Sequence, residues 1–334
     1  MFGSSPGTHH AGSAISFAPL AEESWSIVLA GGTGTRMRSA IREWLGEDRP
    51  KQYCTFVGSR SMLQHTVDRA SQLVGLERIL TVVGPGQRAY LGGASGSPGA
   101  GRVLEQPVAR GTGPGVFLAA TYVAERDPHA TVLIFPSDHF VHPEDRFVRL
   151  AEAARAIVER APHRLVLLGA RPEGPETEYG WIVPGPRAVS GSEGAALPVR
   201  EFVEKPDRRT AARLLRAGGL WNTLVVAVRV DTLWAMGLRH LPQMMRRFQT
   251  LRQVLRAVRL GWAPPEREAS AVAEACAAVP EADFSRDILQ RVVESILVLP
   301  LRDVTWSDWG RPERIHASLA RLGADSPFAS PPTS

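Results

Sequence analysis

LAGGTGTRMR, Leu29 to Arg38, follows directly on the apolar run Trp25 to Ala30, and its reading decides the fold. An apolar strand that ends in a glycine-rich turn presents backbone N–H groups to whatever docks there, and phosphate oxygens are their natural guests. Arg36 adds a fixed cation to that nest. Two look-alikes fail on spacing. A Walker loop needs GxxxxGK[ST], and no Gly-Lys pair stands at the required place. A dinucleotide fingerprint needs a third glycine where this chain, counting from Gly32 and Gly34, has Met37. A turn glycine needed only for backbone geometry is the competing account, and Arg36 together with Lys51 in Arg49-Pro50-Lys51-Gln52 weighs against it.

With 334 residues, 44% of them hydrophobic, the chain can bury a large α/β core. Its net charge of +5 and isoelectric point near 9.7 suit anionic ligands. The densest basic run, Arg246, Arg247, Arg252, Arg256 and Arg259, has helical spacing and reads as a solvated helix face. Without aromatic interleaving or a recognisable module, nucleic-acid binding is not expected. Cys54 and Cys276 lack metal-ligand spacing and read as packing residues of a reducing compartment. No apolar run approaches a membrane span, and residues 1–24, which include His9-His10, read as a mobile tail rather than a signal peptide. A cytoplasmic protein is the expectation.

Periodicity orders the elements. Strands are expected at Trp25–Ala30, Arg78–Val83, Thr131–Phe135, Leu165–Gly169, Val199–Val203, Leu224–Val230 and Ile296–Leu301. Helices are expected at Met62–Val74, Gly115–Glu125 and Arg149–Arg160, and through about Ala278 after the Leu224 strand. Near-continuous apolar strands alternating with helices argue for a mixed, mostly parallel sheet covered on both faces, with ligands at the carboxyl ends of its strands. Gly92 to Gly101 reads as a loop insertion. One domain over residues 25–322 follows, with a second disordered tail over 323–334.

Other motifs then fall into place. In FPSDHF (Phe135 to Phe140), Asp138 lies just past a strand end, where Mg²⁺ held by one or two carboxylates and phosphate oxygens would sit. Asp308 in WSDWG (Trp306 to Gly310) is the candidate second carboxylate. A helix cap or turn is the alternative for Asp138, and an Asp that satisfies local N–H groups in a Trp-rich turn is the alternative for Asp308. Lys205 in Glu204-Lys205-Pro206 follows a strand and can hold a phosphate as a point charge. Tyr179-Gly180-Trp181 offers an aromatic and a bare backbone to a sugar ring, with a hairpin turn as the other account, and Asn222 offers an amide to sugar hydroxyls.

LAGGTGTR, RPKQY, EQPVARGTGPG, FPSDHF, TEYGWIVPG, EFVEKP, WNT and WSDWG stand in the order found in sugar-1-phosphate nucleotidylyltransferases. The chain resembles that family over roughly Ser26 to Leu322, and its mannose-1-phosphate guanylyltransferases most closely. The resemblance implies a Rossmann-like, GT-A-like three-layer α/β/α fold. It implies Leu29, Gly31, Gly32, Gly34, Thr35, Gln106, Gly111 and Thr112 on the nucleotide. Arg36 and Lys51 would act on the transferring phosphoryl and leaving pyrophosphate, and Asp138 and Asp308 on Mg²⁺. Lys205 would take the sugar phosphate, with Gly180, Glu204 and Asn222 on the sugar. The substrates implied are a nucleoside triphosphate, GTP favoured over dTTP and UTP, and a sugar-1-phosphate. A homodimer stays open.

The sequence also departs from the family pattern. Gln106-Pro107 replaces the Glu-Pro frequent in guanylyltransferases, Asn222-Thr223-Leu224 replaces Asn-Ser-Gly, Arg38-Ser39 replaces Trp-Pro, and Gly310-Arg311-Pro312 replaces Gly-Thr-Pro. No left-handed β-helix repeat follows, so assembly through such a tail is not expected. The altered sugar loop alone favours a catalytically silent nucleotide-sugar binder, whereas Arg36, Lys51, Asp138, Lys205 and Asp308 together favour an enzyme.

Overall fold

A computed structural model describes residues 24–91, 99–186 and 196–328. Residues 1–23 with the His9-His10 pair, most of the Gly92–Gly101 insertion, and residues 329–334 lie outside the described residues. The chain runs β1 (Ser24–Ala30), α1 (Arg38–Leu45), α2 (Met62–Ser71), β2 (Ile79–Val83), β3 (Arg102–Glu105), α3 (Thr112–Arg126), β4 (Thr131–Pro136), β5 (Phe140–His142) and α4 (Glu144–Arg160). It continues through β6 (Leu165–Ala170), β7 (Trp181–Pro184), β8 (Leu197–Val203), α5 (Arg208–Arg216), β9 (Leu220–Arg229) and α6 (Val230–His240). Then come α7 (Pro242–Arg259), α8 (Glu266–Ala278), α9 (Phe284–Asp287), β10 (Ile296–Pro300), β11 (Thr305–Ser307) and α10 (Pro312–Arg321).

The central sheet has the order β3-β2-β1-β4-β9-β6-β10-β8-β7. β3, β2, β1 and β4 pair in parallel, as do β6 and β10, while β9 runs antiparallel to both β4 and β6. β8 also runs against its neighbours, and the remaining strands share one direction. The expected mixed, mostly parallel sheet is therefore observed, with β9 as the seam between its two halves. β9 begins at Leu220 rather than Leu224, because Trp181 and Ile182 of β7 pair with Trp221 and Leu220. A separate two-stranded ribbon, β5 with β11, joins the strand after Asp138 to the segment before Asp308.

Both sheet faces are covered, which is why Ile27–Ala30 of β1 forms a continuous apolar run and the small Ser24 and Ser26 are buried with it. Trp25 and Ile27 face a core formed with α3, α6, α7 and α8, whereas Val28 and Ala30 face α2, α4 and α5. Layers on both faces make the three-layer architecture. A smaller cluster joins α1 to α10 through Met37, Ile41, Phe56, Trp309, Ile315 and Leu319. Phe328 packs there edge-on to Trp44, with ring centroids 5.7 Å apart. Residues 323–328 thus dock where a loose tail was expected, since Phe328 is a large apolar side chain with a cluster to cover it.

The arginine run of α7 is only partly the solvated face expected. Arg246, Arg247, Arg256 and Arg259 are exposed, but Arg252 donates to the Ala124 carbonyl at 2.6 Å and lies over the Trp234 ring. Arg259 pairs with Glu125 at 2.9 Å. Cys54 and Cys276 are buried free thiols, pushed up to about 12 and about 11 by burial.

Phe117 of α3 is fully buried, edge-on to Phe284, at the centre of the larger core. Phe117→Ala should lose about 3–5 kcal/mol through the cavity it leaves. A denaturant midpoint lowered at unchanged slope would register that loss, and a midpoint within error of wild type would contradict this packing.

Candidate active site

The glycine-rich loop leaves the carboxyl end of β1 and turns at Gly34, whose φ of 60° lies in the left-handed region that glycine enters without a Cβ penalty. Side chains from two other segments hold the loop's carbonyls. Gln52 Nε2 donates to Ala30 and Gly32, each at 2.8 Å, and Gln87 Nε2 donates to Gly32 at 3.1 Å. With those carbonyls engaged, the loop's N–H groups are left to face a ligand.

A cleft of about 360 Å³ opens over the ends of β1, β2 and β4. Leu29, Gly31, Gly32, Gln106, Gly111, Thr112 and Asp138 all line it. The structure brings these seven sequence-predicted residues together around one cleft. Gln106 is buried, and its Nε2 has no hydrogen-bond partner among the described residues, so a donor stands ready for a ligand carbonyl. Thr112 opens α3, and its hydroxyl oxygen accepts from the Phe284 N–H at 2.8 Å, which fixes the helix start against α9. Gly34 and Thr35 stand at the outer end of the loop, away from the cleft walls.

Lys51, in the turn after Pro50, is almost fully buried. Its ammonium lies 3.0 Å from Asp138 Oδ2 and donates to the backbone carbonyl of Asp308. Burial opposes the charge on Asp138, but Lys51 and His139 together outweigh it and hold the carboxyl below the usual range. The neighbouring His139 is pushed down by burial, against the pull of Asp138, and packs edge-on against Trp306.

Asp308 is the hub of the opposite wall. Its Oδ1 accepts from the Tyr179 hydroxyl at 2.6 Å, from Arg314 at 2.7 Å and from the Gly310 N–H at 3.0 Å. Burial works against its charge, yet Lys51, Tyr179, Arg314 and Gly310 together hold the carboxyl far below the carboxylate range. Arg36 stands 3.4 Å from Oδ2 and 3.0 Å from Glu178, with half of its side chain exposed. The donor chemistry suits Mg²⁺, an oxygen-seeking ion that keeps few protein ligands when phosphates supply others. Asp138 fits with its partly exposed carboxylate at the cleft, and Asp308 fits through Oδ2 alone, where only the looser Arg36 contact competes.

The remaining predicted residues form a second group at the β7–β9 side. Gly180 gives close approach there, since a Cβ would lie 2.5 Å from Glu204 Oε2 and 3.2 Å from the Asn222 Cβ, so a larger residue would push the Glu204 carboxylate aside. The Asn222 N–H donates to the Gly180 carbonyl at 2.7 Å, and the Lys205 N–H to the Tyr179 carbonyl at 3.2 Å. Lys205 is exposed and 3.6 Å from Glu204, whose carboxyl is raised by burial and by Asp283. Asn222 lies inside β9, and its side-chain amide is engaged within the protein, donating to Ser285 Oγ at 3.3 Å and accepting the Leu224 N–H at 3.0 Å. Its expected role toward sugar hydroxyls would need that Ser285 bond exchanged. Tyr179 likewise does not offer its ring to the cleft but packs edge-on to Trp221 and Trp306.

Several residues of the site carried no sequence-level role. Gln52 and Glu178 stood within recognised motifs, beside Lys51 and Tyr179, whereas Gln87 and Arg314 have no local signature. Only the fold brings those two in, Arg314 from α10.

A family model described as nucleotidyl transferase matches residues 25–322. The chain belongs to the nucleotidyl transferase family. Among its relatives, the xanthan biosynthesis protein XanB of Xanthomonas campestris pv. campestris is 30% identical over 294 residues, covering 85% of this chain and 57% of that protein. A mannose-1-phosphate guanylyltransferase of Salmonella montevideo is 33% identical over 211 residues, covering 61% of this chain and 43% of the other. The chain thus spans about half the length of these curated relatives. A crystal structure described as a mannose-1-phosphate geranyltransferase from Thermus thermophilus matches with a TM-score of 0.72 at 28% identity, covering 91% of this chain and 80% of that one. A UDP-glucose pyrophosphorylase, with a TM-score of 0.56 at 13% identity, shares the fold. No helix among the described residues of this family member is long and apolar enough to cross a membrane.

Tyr179→Phe deletes one charge-assisted bond to Asp308 and should cost about 1.5–3 kcal/mol of stability. Because the Asp308 carboxyl is depressed in the folded state, the stability its ionisation contributes is full above the ordinary Asp value of about 4 and is lost only as pH falls through the folded one. The penalty measured by denaturant unfolding should therefore be constant between about pH 5 and 8. A penalty that drifts in that window would contradict the ionised hub.

Proposed function

We propose that this chain transfers a nucleotidyl group from a nucleoside triphosphate to a sugar-1-phosphate and releases pyrophosphate, with GTP and mannose-1-phosphate as the favoured pair. The observation that carries the reading is the shared ammonium of Lys51. It joins the cleft below the glycine-rich loop, through Asp138, to the wall that holds Arg36 and Asp308. Family membership supports the reaction class, and the printed names of the relatives support the sugar and the base.

The chemistry asks little of acid–base groups. A sugar-1-phosphate is almost fully ionised at neutral pH, because the second pKa of a phosphomonoester is about 6. Its oxygen forms the new bond to the α-phosphorus of the triphosphate, the bond from that phosphorus to the bridging oxygen breaks, and pyrophosphate leaves with the electron pair. No proton need move. The barrier lies in holding two polyanions in line, so positioning and positive charge supply most of the catalysis. In this reading, Gly31 and Gly32 cradle the triphosphate, Lys51 and Arg36 face the phosphates, and Lys205 grips the sugar phosphate. Mg²⁺ held by Asp138 and Asp308 would neutralise phosphate charge when bound. Arg36 then exchanges its contact with Asp308 for phosphate oxygens. The open amide of Gln106 is the candidate reader of the base, since both its donor and its acceptor can meet the carbonyl and N–H edge of guanine. The imide edge of uracil or thymine offers a similar pattern, so UTP and dTTP are the competing arms.

A matrix of nucleoside triphosphates against sugar-1-phosphates, read by pyrophosphate release, tests the proposal. Turnover with no pair would favour the silent binder, and better use of dTTP or UTP than GTP with every sugar would overturn the guanylyl assignment. Asp138→Asn should lower turnover at saturating Mg²⁺ by about 100-fold or more while the protein stays folded. Lys205→Ala should raise KM for the sugar phosphate well above any rise for the triphosphate, and equal rises would refute its assignment.

A further inference from the structure

Leu224 combines two features found together in no other non-glycine residue among the described residues. Its φ of 56° lies in the left-handed region that side chains with a Cβ rarely occupy, and it lines the cleft with Gly31, Gln106 and Asp138. Of the other non-glycine residues in that region, Lys205, Asp303 and Trp309, none lines the cleft. A leucine gains nothing by itself in such a conformation, and strain of this kind persists only where the surroundings impose it. Asn222 imposes it here, its Oδ1 accepting the Leu224 N–H at 3.0 Å while its Nδ2 is tied to Ser285. Glycine would satisfy the same backbone without strain. Packing against the larger core accounts for part of the side chain, and the part that lines the cleft needs a further reason.

The sheet order supplies one. β9 is the seam where the β3-β2-β1-β4 half, which carries the glycine-rich loop, meets the half that carries Gly180 and Glu204. A side chain standing in the cleft at this seam occupies space where the acceptor must bring its phosphate to the nucleotide. On a sugar-1-phosphate, the ring position next to the phosphate-bearing carbon is the nearest bulk to that meeting point. We propose that Leu224 is a steric selector, admitting acceptors with a plain hydroxyl at that adjacent carbon and excluding those with a bulky acylamino group there. The inference rests on the function proposed above and adds the acceptor class.

The test compares hexose-1-phosphate with 2-acetamido-hexose-1-phosphate under the same triphosphate, in wild type, Leu224→Ala and Leu224→Gly. Wild type should favour the plain hexose. Leu224→Gly should raise the relative kcat/KM for the acetamido substrate by about 10-fold or more, with Leu224→Ala in between, since a few methylenes of pocket volume discriminate on that scale. Leu224→Gly relieves backbone strain but gives up the side chain's packing on the core, so the melting temperature is read alongside to confirm that both variants stay folded. A wild-type preference for the acetamido substrate would overturn the selector. So would a ratio within twofold of wild type in both variants, which would make Leu224 a packing residue. Either result leaves the transferase reading intact, because wild-type turnover of a sugar-1-phosphate tests that reading separately.

Discussion

The buried ammonium of Lys51 is the constraint on which the rest of the site depends. Removing a charge from water costs several kcal/mol unless partners replace its hydration. Lys51 has two such partners, the Asp138 carboxylate and the Asp308 carbonyl, supplied by segments far apart in sequence. The β5–β11 ribbon brings both carriers to it, with Phe140, just after Asp138, paired to Ser307, just before Asp308. Asp308 in turn sets Arg36 and Tyr179, and Tyr179 sets Lys205 through its backbone carbonyl. Moving Lys51 would therefore disturb both sides of the cleft at once.

This arrangement also separates two kinds of acidic group. Asp138 and Asp308 are held ionised by neighbouring cations and donors despite burial, whereas Glu204 is raised by burial and by Asp283. The first pair keeps charge where a metal and phosphates would gather. The second group stands where an uncharged sugar ring is expected, so a carboxyl drawn toward its neutral form is compatible with close approach.

The long apolar strands were legible in the sequence because burial on both faces leaves them unmistakably hydrophobic. β1, β2, β4, β6 and β10 lie within a residue or so of their expected places. The short elements were not. β3, β5, β7 and β11 have three or four residues each, too few for a period to show, and α5 hides its buried Ala211 and Leu214 among five polar or charged residues. In the site, residues inside motifs were legible because their spacing is local. The contacts that make them work were not, because Lys51 and Asp308 are 257 positions apart, and Arg314 reaches Asp308 from a helix without any signature. The engaged amide of Asn222 escaped detection for the same reason, its partner Ser285 being 63 residues away.

The docking of α10 and β11 against the amino-terminal half has a consequence for how the protein comes into being. During synthesis, β1, the glycine-rich loop and Lys51 emerge first, and at about 5–20 residues per second the ribosome needs roughly 10–50 s more to deliver Asp308. Throughout that interval Lys51 lacks its second partner and Arg36 lacks Asp308, so a nascent chain can set the glycine-loop wall, held by Gln52 and Gln87, but not the wall built on Asp308. The candidate site is thus completed among the last parts of the described fold to be made.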